Sequence, residues 1–241
     1  MAIEYKATDF PGKILYDKEF NIQIRCITPL EQKYILSLGQ KDQKSQKEYI
    51  DFLKKLIVID NPEMQFEDLY WYDIKYLLYR IRYLTYTKYP IKLEFHCDEC
   101  GSSIAKDLDI GNLDISEPEN LQRTIHLDNL GEVSIRNKTL RDDITIDEFA
   151  KAMNIAPDDM QMRLLLLDLC LISNSTDKPL KYLYSLASTG EITANDIVEI
   201  EKWFDQSEWG IKEELNVVCP KCKKEASKRY LLSIEDFFSI I

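Results

Sequence analysis

Two C-x-x-C pairs, Cys97/Cys100 and Cys219/Cys222, are the residues of this sequence best suited to chemistry. A C-x-x-C turn presents two thiolates at the spacing that a tetrahedral zinc ion requires, and two such turns complete a four-thiolate site. Segments with the alternating pattern of strands flank both pairs, as they do in the zinc knuckles of a zinc ribbon. The four cysteines therefore predict one structural Zn2+ ion.

Other roles for these and neighbouring residues are weaker. A redox C-x-x-C usually occurs once, in an aromatic-Cys-Gly-Pro-Cys context that neither pair has. His96 is adjacent to Cys97 on a predicted strand, so its side chain points to the opposite face and is not expected to bind the metal. His126 is expected to be an ordinary strand residue. Cys26 and Cys170 lie in apolar patterns and are expected to be buried packing residues.

No catalytic motif accompanies the cysteines. The chain has seven glycines and two histidines, and it contains no Gly-rich phosphate loop, no Gly-x-Ser-x-Gly elbow and no His-Glu-x-x-His motif. We therefore expect a protein that is not an enzyme and has no small-molecule substrate. An enzyme with a purely structural zinc stays open as an alternative, because the carboxylates are too numerous to exclude an acid pair.

The composition predicts a folded, acidic protein. The chain has 241 residues, of which 45% are hydrophobic and 30% charged, and its formal net charge is −11. Such a surface repels a phosphate backbone on average and favours basic protein partners. The nearest approach to a basic patch surrounds the second cysteine pair and consists of Lys221, Lys223, Lys224, Lys228 and Arg229. We expect protein partners and no nucleic acid.

Neither a signal peptide nor a membrane span is expected. The first residues lack a basic segment followed by an apolar one. The longest apolar run, 164–172, is interrupted by Asp168 and is too short to cross a bilayer. We therefore expect a cytosolic origin, in which cysteines stay reduced and can bind metal.

The elements that must position the cysteines recur along the chain. Asp73 precedes Cys97 by 24 residues, and Asp196 precedes Cys219 by 23. Each stretch has the pattern of a helix, a break, a strand, the C-x-x-C pair and a second strand. Two further pairs of similar segments occur in the same order, 22–28 with 133–139 and 56–61 with 169–174.

This repetition predicts an α+β fold of two related halves. The first covers residues 1–116 with Cys97/Cys100, and the second covers residues 117–241 with Cys219/Cys222. Each half contributes one zinc knuckle to a shared zinc-ribbon-like site. Because the entropy of loop closure rises only slowly with loop length, the long intervening chain is no obstacle.

Helix-capping patterns place the helices of both halves. Thr28–Glu31 and Thr145–Glu148 have the form of capping boxes, and Thr193–Asp196 opens a helix in a similar way. Helices are predicted near 29–38, 47–59, 67–84, 146–153, 158–172, 179–188, 194–206 and 234–240. Strands are predicted near 13–16, 20–27, 91–96, 103–109, 124–127, 132–137, 213–218 and 226–231.

An aromatic stripe marks the helix before the first cysteine pair. Its members fall on one helical face and are Tyr72, Tyr76, Tyr79 and Tyr83. One interpretation is the margin of the core. The other is a partner-binding face, because Tyr and Arg are enriched at interface hot spots. RNA stacking is a third interpretation, which the acidic charge counts against.

Several of these segments together resemble a known family, the T-even-type bacteriophage baseplate hub proteins. The resemblance covers most of the first half and, more loosely, the second. It is carried by Pro11-Gly12-Lys13, by the strand ending Ile24-Arg25 with Thr28, by Asp73-x-x-x-Leu77-Leu78-x-x-Ile81-Arg82, and by Tyr89-x-x-x-Leu93-Glu94-Phe95-x-Cys97-x-x-Cys100.

The resemblance implies a non-enzymatic protein that builds the hub of a contractile phage tail. Its partners would be other tail and baseplate proteins. Its location would be the baseplate of the virion tail, after assembly in the host cytoplasm. The alternative from the cysteines alone is a zinc-ribbon regulator that binds nucleic acid, which would need a contiguous basic face.

Overall fold

The structure, a computed structural model, describes residues 5–39, 46–87, 89–119, 123–156, 159–172 and 179–239. Within these ranges the chain forms eight α-helices and eleven short strands, so the predicted α+β class is confirmed. The strands form one three-stranded sheet and four two-stranded ribbons, and every pairing is antiparallel.

The helices occur in both predicted halves. They are α1 (Pro29–Gly39), α2 (Gln46–Leu56), α3 (Trp71–Thr85), α4 (Leu140–Ala152), α5 (Met160–Ile172), α6 (Leu180–Thr189), α7 (Ala194–Gln206) and α8 (Ile234–Phe238).

The strands are short and pair mostly with their neighbours in sequence. The three-stranded sheet has the order β1 (Lys6–Thr8), β2 (Ile22–Ile24), β3 (Ile57–Ile59). The ribbons pair β4 (Ile91–His96) with β5 (Ser103–Leu108), β6 (Ile115–Ser116) with β9 (Gly210–Ile211), β7 (Thr124–Leu127) with β8 (Gly131–Ser134), and β10 (Glu214–Val218) with β11 (Glu225–Arg229).

Helix α3 is the centre of the larger of two main cores. Its buried side chains include Ile74, Leu77 and Ile81, which recur at helical spacing and lie at 0% exposure. Residues of α1, α2 and the β1–β3 sheet belong to the same cluster. So do Phe237 and Phe238 of α8, and the C-terminal residues therefore pack in the core of the first predicted half.

The second core belongs to the middle of the chain. Helices α4, α5, α6 and α7 pack against one another and against the β7–β8 ribbon. Leu166, Leu169, Leu183 and Ile200 form its fully buried centre. Tyr72 of α3 stacks on Phe204 of α7, which packs against this second core.

A buried carboxylate joins three distant segments. Asp73, in the first turn of α3, is fully buried. Its carboxylate accepts hydrogen bonds from the Gly12 backbone N–H at 2.8 Å, from the Tyr16 hydroxyl at 2.8 Å and from Trp209 Nε1 at 3.1 Å. Because its three donors come from residues 12, 16 and 209, Asp73 ties the N-terminal turn and the segment around Trp209 to α3.

A buried guanidinium anchors the C-terminal segment. Arg82 of α3 is 2% exposed, and it donates hydrogen bonds to the backbone carbonyls of Asp236, Phe237 and Ser239. These carbonyls belong to the end of α8, where a helix lacks internal partners for its C=O groups. A cation in that position also interacts favourably with the helix dipole.

Capping chemistry explains where the helices begin. The predicted boxes at Thr28 and Thr193 are confirmed by reciprocal hydrogen bonds with Glu31 and Asp196. The box predicted at Thr145 is wrong, because α4 begins six residues earlier with a capping box between Thr139 and Asp142. The bidentate pairing of Asp142 with Arg136, a half-buried residue, favours this earlier start over the later Thr-x-x-Glu pattern.

Two other predicted elements differ from the structure. The strand predicted over 13–16 is absent, because residues 13–15 belong to a 3-10 helix, Pro11–Leu15, in which Gly12 approaches Asp73 closely. The helix predicted over 47–59 ends at Leu56, and the β-branched residues that follow form β3. Strands β1, β6 and β9 were not predicted. Residues 158, 173–174 and 240, which fall in predicted elements or matched segments, lie outside the described residues.

Replacement of Gly12 by alanine tests the Asp73 junction. A Cβ atom at Gly12 would lie 2.4 Å from Asp73 Oδ2 and 2.7 Å from Trp209 Nε1. We expect Gly12→Ala to lower the free energy of unfolding by about 2–4 kcal/mol, because it overpacks the site and breaks a buried hydrogen bond. Lys13→Ala, at the exposed neighbour, should change it by less than about 0.5 kcal/mol. Equal urea midpoints for the two variants would contradict this account.

Candidate metal centre

The β4–β5 ribbon builds the first cysteine turn. Its strands pair from Ile91 with Leu108 up to His96 with Ser103, which places the C-x-x-C pair in the connecting turn. The Cys97 N–H donates to the Ser102 carbonyl at 2.9 Å, and the Gly101 N–H donates to the Cys97 carbonyl at 2.9 Å. Gly101 has φ of 67°, a left-handed conformation that glycine adopts without strain.

The β10–β11 ribbon builds a second turn of the same form. The Cys219 N–H donates to the Lys224 carbonyl at 2.9 Å, and the Lys223 N–H donates to the Cys219 carbonyl at 3.0 Å. Lys223 occupies the position equivalent to Gly101 and has φ of 63°. The second turn therefore holds a residue with a side chain where the first has glycine, at a cost of about 1 kcal/mol.

The two turns face each other and bring four thiols together. Cys97 and Cys100 Sγ lie 3.6 Å from Cys222 and Cys219 Sγ, respectively. All four Sγ atoms lie within 4.8 Å of one another. A tetrahedral ion with bonds of about 2.3 Å to sulfur separates its ligands by about 3.8 Å. The donor set and its dimensions therefore fit a structural zinc ion, as the sequence predicts.

Local hydrogen bonding affects the thiols unequally. The pKa of Cys100 is lowered to about 6, first by the hydrogen bond to the Ser102 side chain and then by the Ser102 backbone N–H. The backbone N–H groups of Cys222 and Lys221 lower the pKa of Cys219. Both effects favour thiolates, which are the form that binds metal.

Apolar packing and ion pairs hold the turns against each other. Ile104 of β5 and Val217 of β10 are buried in a small cluster with Cys97 and Cys219. Outside this cluster, residues of the first turn form ion pairs with residues of the second ribbon, Asp98 with Lys228 and Glu99 with Lys224. Each pair joins residues more than 120 positions apart.

These ion pairs are formed by residues that were not predicted to belong to the site. The sequence does contain a signal for these ion pairs. The acidic residues Asp98 and Glu99 lie inside one C-x-x-C pair, while Lys224 and Lys228 follow the other. The cluster of basic residues is thus partly neutralised within the chain. The buried hydrogen bond from Trp209 to Asp73, which also joins the two predicted halves, had no comparable signal in the sequence.

The remaining candidate residues lie away from the sulfur cluster. His96 belongs to β4 and is exposed, and His126 belongs to β7. Cys170 is buried in the second core, as predicted. The prediction for Cys26 is wrong, because this thiol is exposed just before α1, where the chain leaves the sheet.

The tyrosine stripe of α3 is divided between core and surface. Tyr79 is 1% exposed, with its ring against Phe237 and its hydroxyl 3.3 Å from Glu213 Oε1, so it does not reach the surface. Tyr72, Tyr76 and Tyr83 are half-buried. A partner-binding role for these three stays a prediction.

Comparison with known proteins identifies the family. A family model described as T4 bacteriophage base plate protein matches residues 7–239. The chain belongs to this family. The match includes both ribbons and every cysteine of the cluster. Searches of curated proteins and of solved structures gave no significant match.

The family assignment gives the chain its setting in a phage baseplate, with other tail proteins as its neighbours. The predicted resemblance to baseplate proteins is thereby confirmed at the level of the family. No helix in the described part of the chain combines the length and the apolar character needed to cross a bilayer.

Exchange of residue types between the two turns tests their equivalence. Lys223→Gly should raise the melting temperature by about 2–4 °C, because glycine relieves about 1 kcal/mol of left-handed strain. Gly101→Ala should lower it by a similar amount. Differential scanning calorimetry at fixed zinc concentration measures both. A loss of stability in Lys223→Gly would show that the lysine side chain matters more than its backbone conformation.

Proposed function

We propose that this baseplate protein is a structural or assembly component of the hub, not an enzyme, and that it acts as a zinc-stapled scaffold. The single observation that carries the baseplate role is the family match over residues 7–239. In this role the protein presents rigid surfaces to neighbouring tail proteins. A scaffold of this kind needs no catalytic residues, and the four cysteines are accounted for by a structural metal.

The proposed staple is one zinc ion held by Cys97, Cys100, Cys219 and Cys222. Zinc bound to four thiolates supplies no catalysis, and it stabilises the packing of the two ribbons. The support is the donor set, the spacing of the sulfur atoms and the matching turns. A bound cation would also offset the repulsion among thiolates that the fold forces within 4.8 Å of one another.

We further propose that the staple joins two related halves, residues 1–116 and 117–241. Two arginine motifs support this, since Arg25 pairs with Glu31 and Arg136 pairs with Asp142 through two hydrogen bonds each. In each motif the acid also accepts the N–H of the helix-capping threonine. The backbone N–H of Arg25 donates to the Leu56 carbonyl, and the backbone N–H of Arg136 donates to the Leu171 carbonyl. Each of these carbonyls lies at or near the end of a helix.

The helices that precede the two ribbons support the same duplication. Asp73 of α3 accepts the backbone N–H of Gly12, 61 positions upstream. Asp196 of α7 accepts the backbone N–H of Asp128, 68 positions upstream. Both acids lie in the first turn of a helix that leads into a C-x-x-C ribbon. These matching contacts support the proposed correspondence between the halves.

Single cysteine substitutions test whether one ion couples the halves. We expect about one zinc per wild-type chain, and much less in Cys97→Ser and Cys219→Ser. Because each half supplies two ligands, either substitution should increase hydrogen exchange in both β4–β5 and β10–β11. The double variant should be little worse than either single one, since both break one site.

A matched control is Cys170→Ser, which removes a thiol outside the cluster. Its zinc content should stay near that of the wild type. Increased exchange confined to the mutated ribbon would refute the shared site and would favour two separate metal sites. Two zinc ions per chain in the wild type would have the same consequence.

Baseplate isolation tests the proposed role itself. Mass spectrometry of purified tails and baseplate intermediates should detect the chain, and a phage lacking it should fail to complete baseplates. Its binding to duplex DNA at physiological salt should be negligible, since two lysines beside the second turn pair with carboxylates and the net charge is −11. Tight, salt-sensitive DNA binding together with absence from baseplates would instead favour a zinc-ribbon regulator.

A further inference from the structure

Helix α5 carries an apolar strip on its outer side. Met160 is 65% exposed and Leu164 is 53% exposed. The two side chains are four residues apart and therefore neighbours on the helix surface. Helix α5 packs against α4, α6 and α7, but among the described residues these helices leave both side chains more than half exposed. The strip lies far along the chain from the cysteine ribbons and has no role in the metal centre.

The next position along this strip is a buried carboxylate, Asp168. Asp168 is only 8% exposed. Within the described residues, its carboxylate has neither a hydrogen-bond donor nor a cation as a partner. Asp73, the comparable buried acid, has three donors. An acidic side chain that is largely buried without a partner loses part of its hydration, which costs stability.

A second carboxylate adds to this cost. Glu201 is an exposed residue of α7, the helix that packs against α5. Burial, and then the negative charge of Glu201, raise the pKa of Asp168 to about 7. A largely buried acid close enough to a second negative charge to feel its repulsion lowers stability, and such an acid is typical of functional sites.

We propose that Met160, Leu164, Asp168 and Glu201 form a docking strip for an amphipathic segment of a neighbouring tail protein, with an arginine beside its apolar side chains. The inference rests on the proposed scaffold function and names one surface for it. The apolar side chains of the partner cover Met160 and Leu164. Its arginine pairs with the two carboxylates.

Charge complementarity determines the choice of occupant. The chain carries a net charge of −11, so a basic segment is attracted to it from a distance. Arginine fits better than lysine, because its planar guanidinium bonds to two carboxylate oxygens at once and loses less hydration on burial. Pairing with a cation from outside also satisfies Asp168, which the chain itself leaves unpaired.

Site-specific cross-linking tests the occupant. Photoreactive p-benzoylphenylalanine replaces Leu164 in the full chain, which complements a phage that lacks the wild-type gene. Irradiated baseplate intermediates are then analysed by mass spectrometry. We expect cross-links to another tail protein within two helical turns of an arginine. Cross-links only to a second copy of this chain, cross-links to a segment without a basic residue, or no cross-links would each overturn the inference.

Charge-neutralising variants test the role of the carboxylate. Asp168→Asn should reduce incorporation into baseplates at least ten-fold, because loss of one partner of a buried interfacial ion pair weakens binding by that factor or more. It should not lower the melting temperature of the purified chain. Glu199→Gln is the matched control, since Glu199 also lies on α7 but is exposed and paired with Lys202, and it should incorporate like the wild type.

The outcomes separate this inference from the proposed function. If the wild-type chain is absent from baseplate intermediates, the scaffold function fails. If the wild type and Asp168→Asn are incorporated equally, the docking strip alone is wrong. A lower melting temperature for Asp168→Asn would assign Asp168 to the fold itself and would also overturn the strip.

Discussion

The close approach of four thiols is the constraint on which the rest of the structure depends. Cys100 and Cys219 are 119 positions apart, yet their sulfur atoms lie 3.6 Å from each other. Thiolates at that distance repel unless a cation lies among them. The ribbons β4–β5 and β10–β11 must therefore meet in one register, and the paired charges beside the turns favour the same register. The residues between the two ribbons must fold in a way that allows the ribbons to meet.

Two further junctions explain why the chain does not rely on the cysteines alone. The carboxylate of Asp73 receives the indole N–H of Trp209, so the first turn of α3 is joined to the segment before β9. Arg82, about two and a half turns further along the same helix, binds the carbonyls at the end of α8. Helix α3 is thus held at both ends by residues from the C-terminal part of the chain. Neither contact involves a cysteine, so both hold α3 independently of the sulfur cluster.

The sequence predicted those features that depend on short-range patterns. The C-x-x-C spacing identified the four clustered cysteines, and the capping threonines Thr28 and Thr193 located the starts of α1 and α7. Predictions were wrong where a side-chain contact outside the short local pattern decides the structure. Residues 11–15 form a 3-10 helix because Gly12 must reach Asp73, and α4 begins at Leu140 because Arg136 positions Asp142 as its cap. Tyr79 shares its helical pattern with the half-buried tyrosines, and its contacts with Phe237 and Glu213 remove it from the surface.

The buried aspartates of this chain differ in whether the chain itself supplies hydrogen-bond donors to their carboxylates. Asp73, Asp142 and Asp196 each have several donors, and each closes a junction within the chain. Asp168 has a comparable degree of burial but no partner among the described residues, and it lies at the end of an exposed apolar strip. A folded chain tolerates such a residue only when the cost is small against its total stability or when another molecule supplies the missing cation. In a protein built to assemble with others, the second explanation also accounts for the exposed Met160 and Leu164, which the first leaves without a reason.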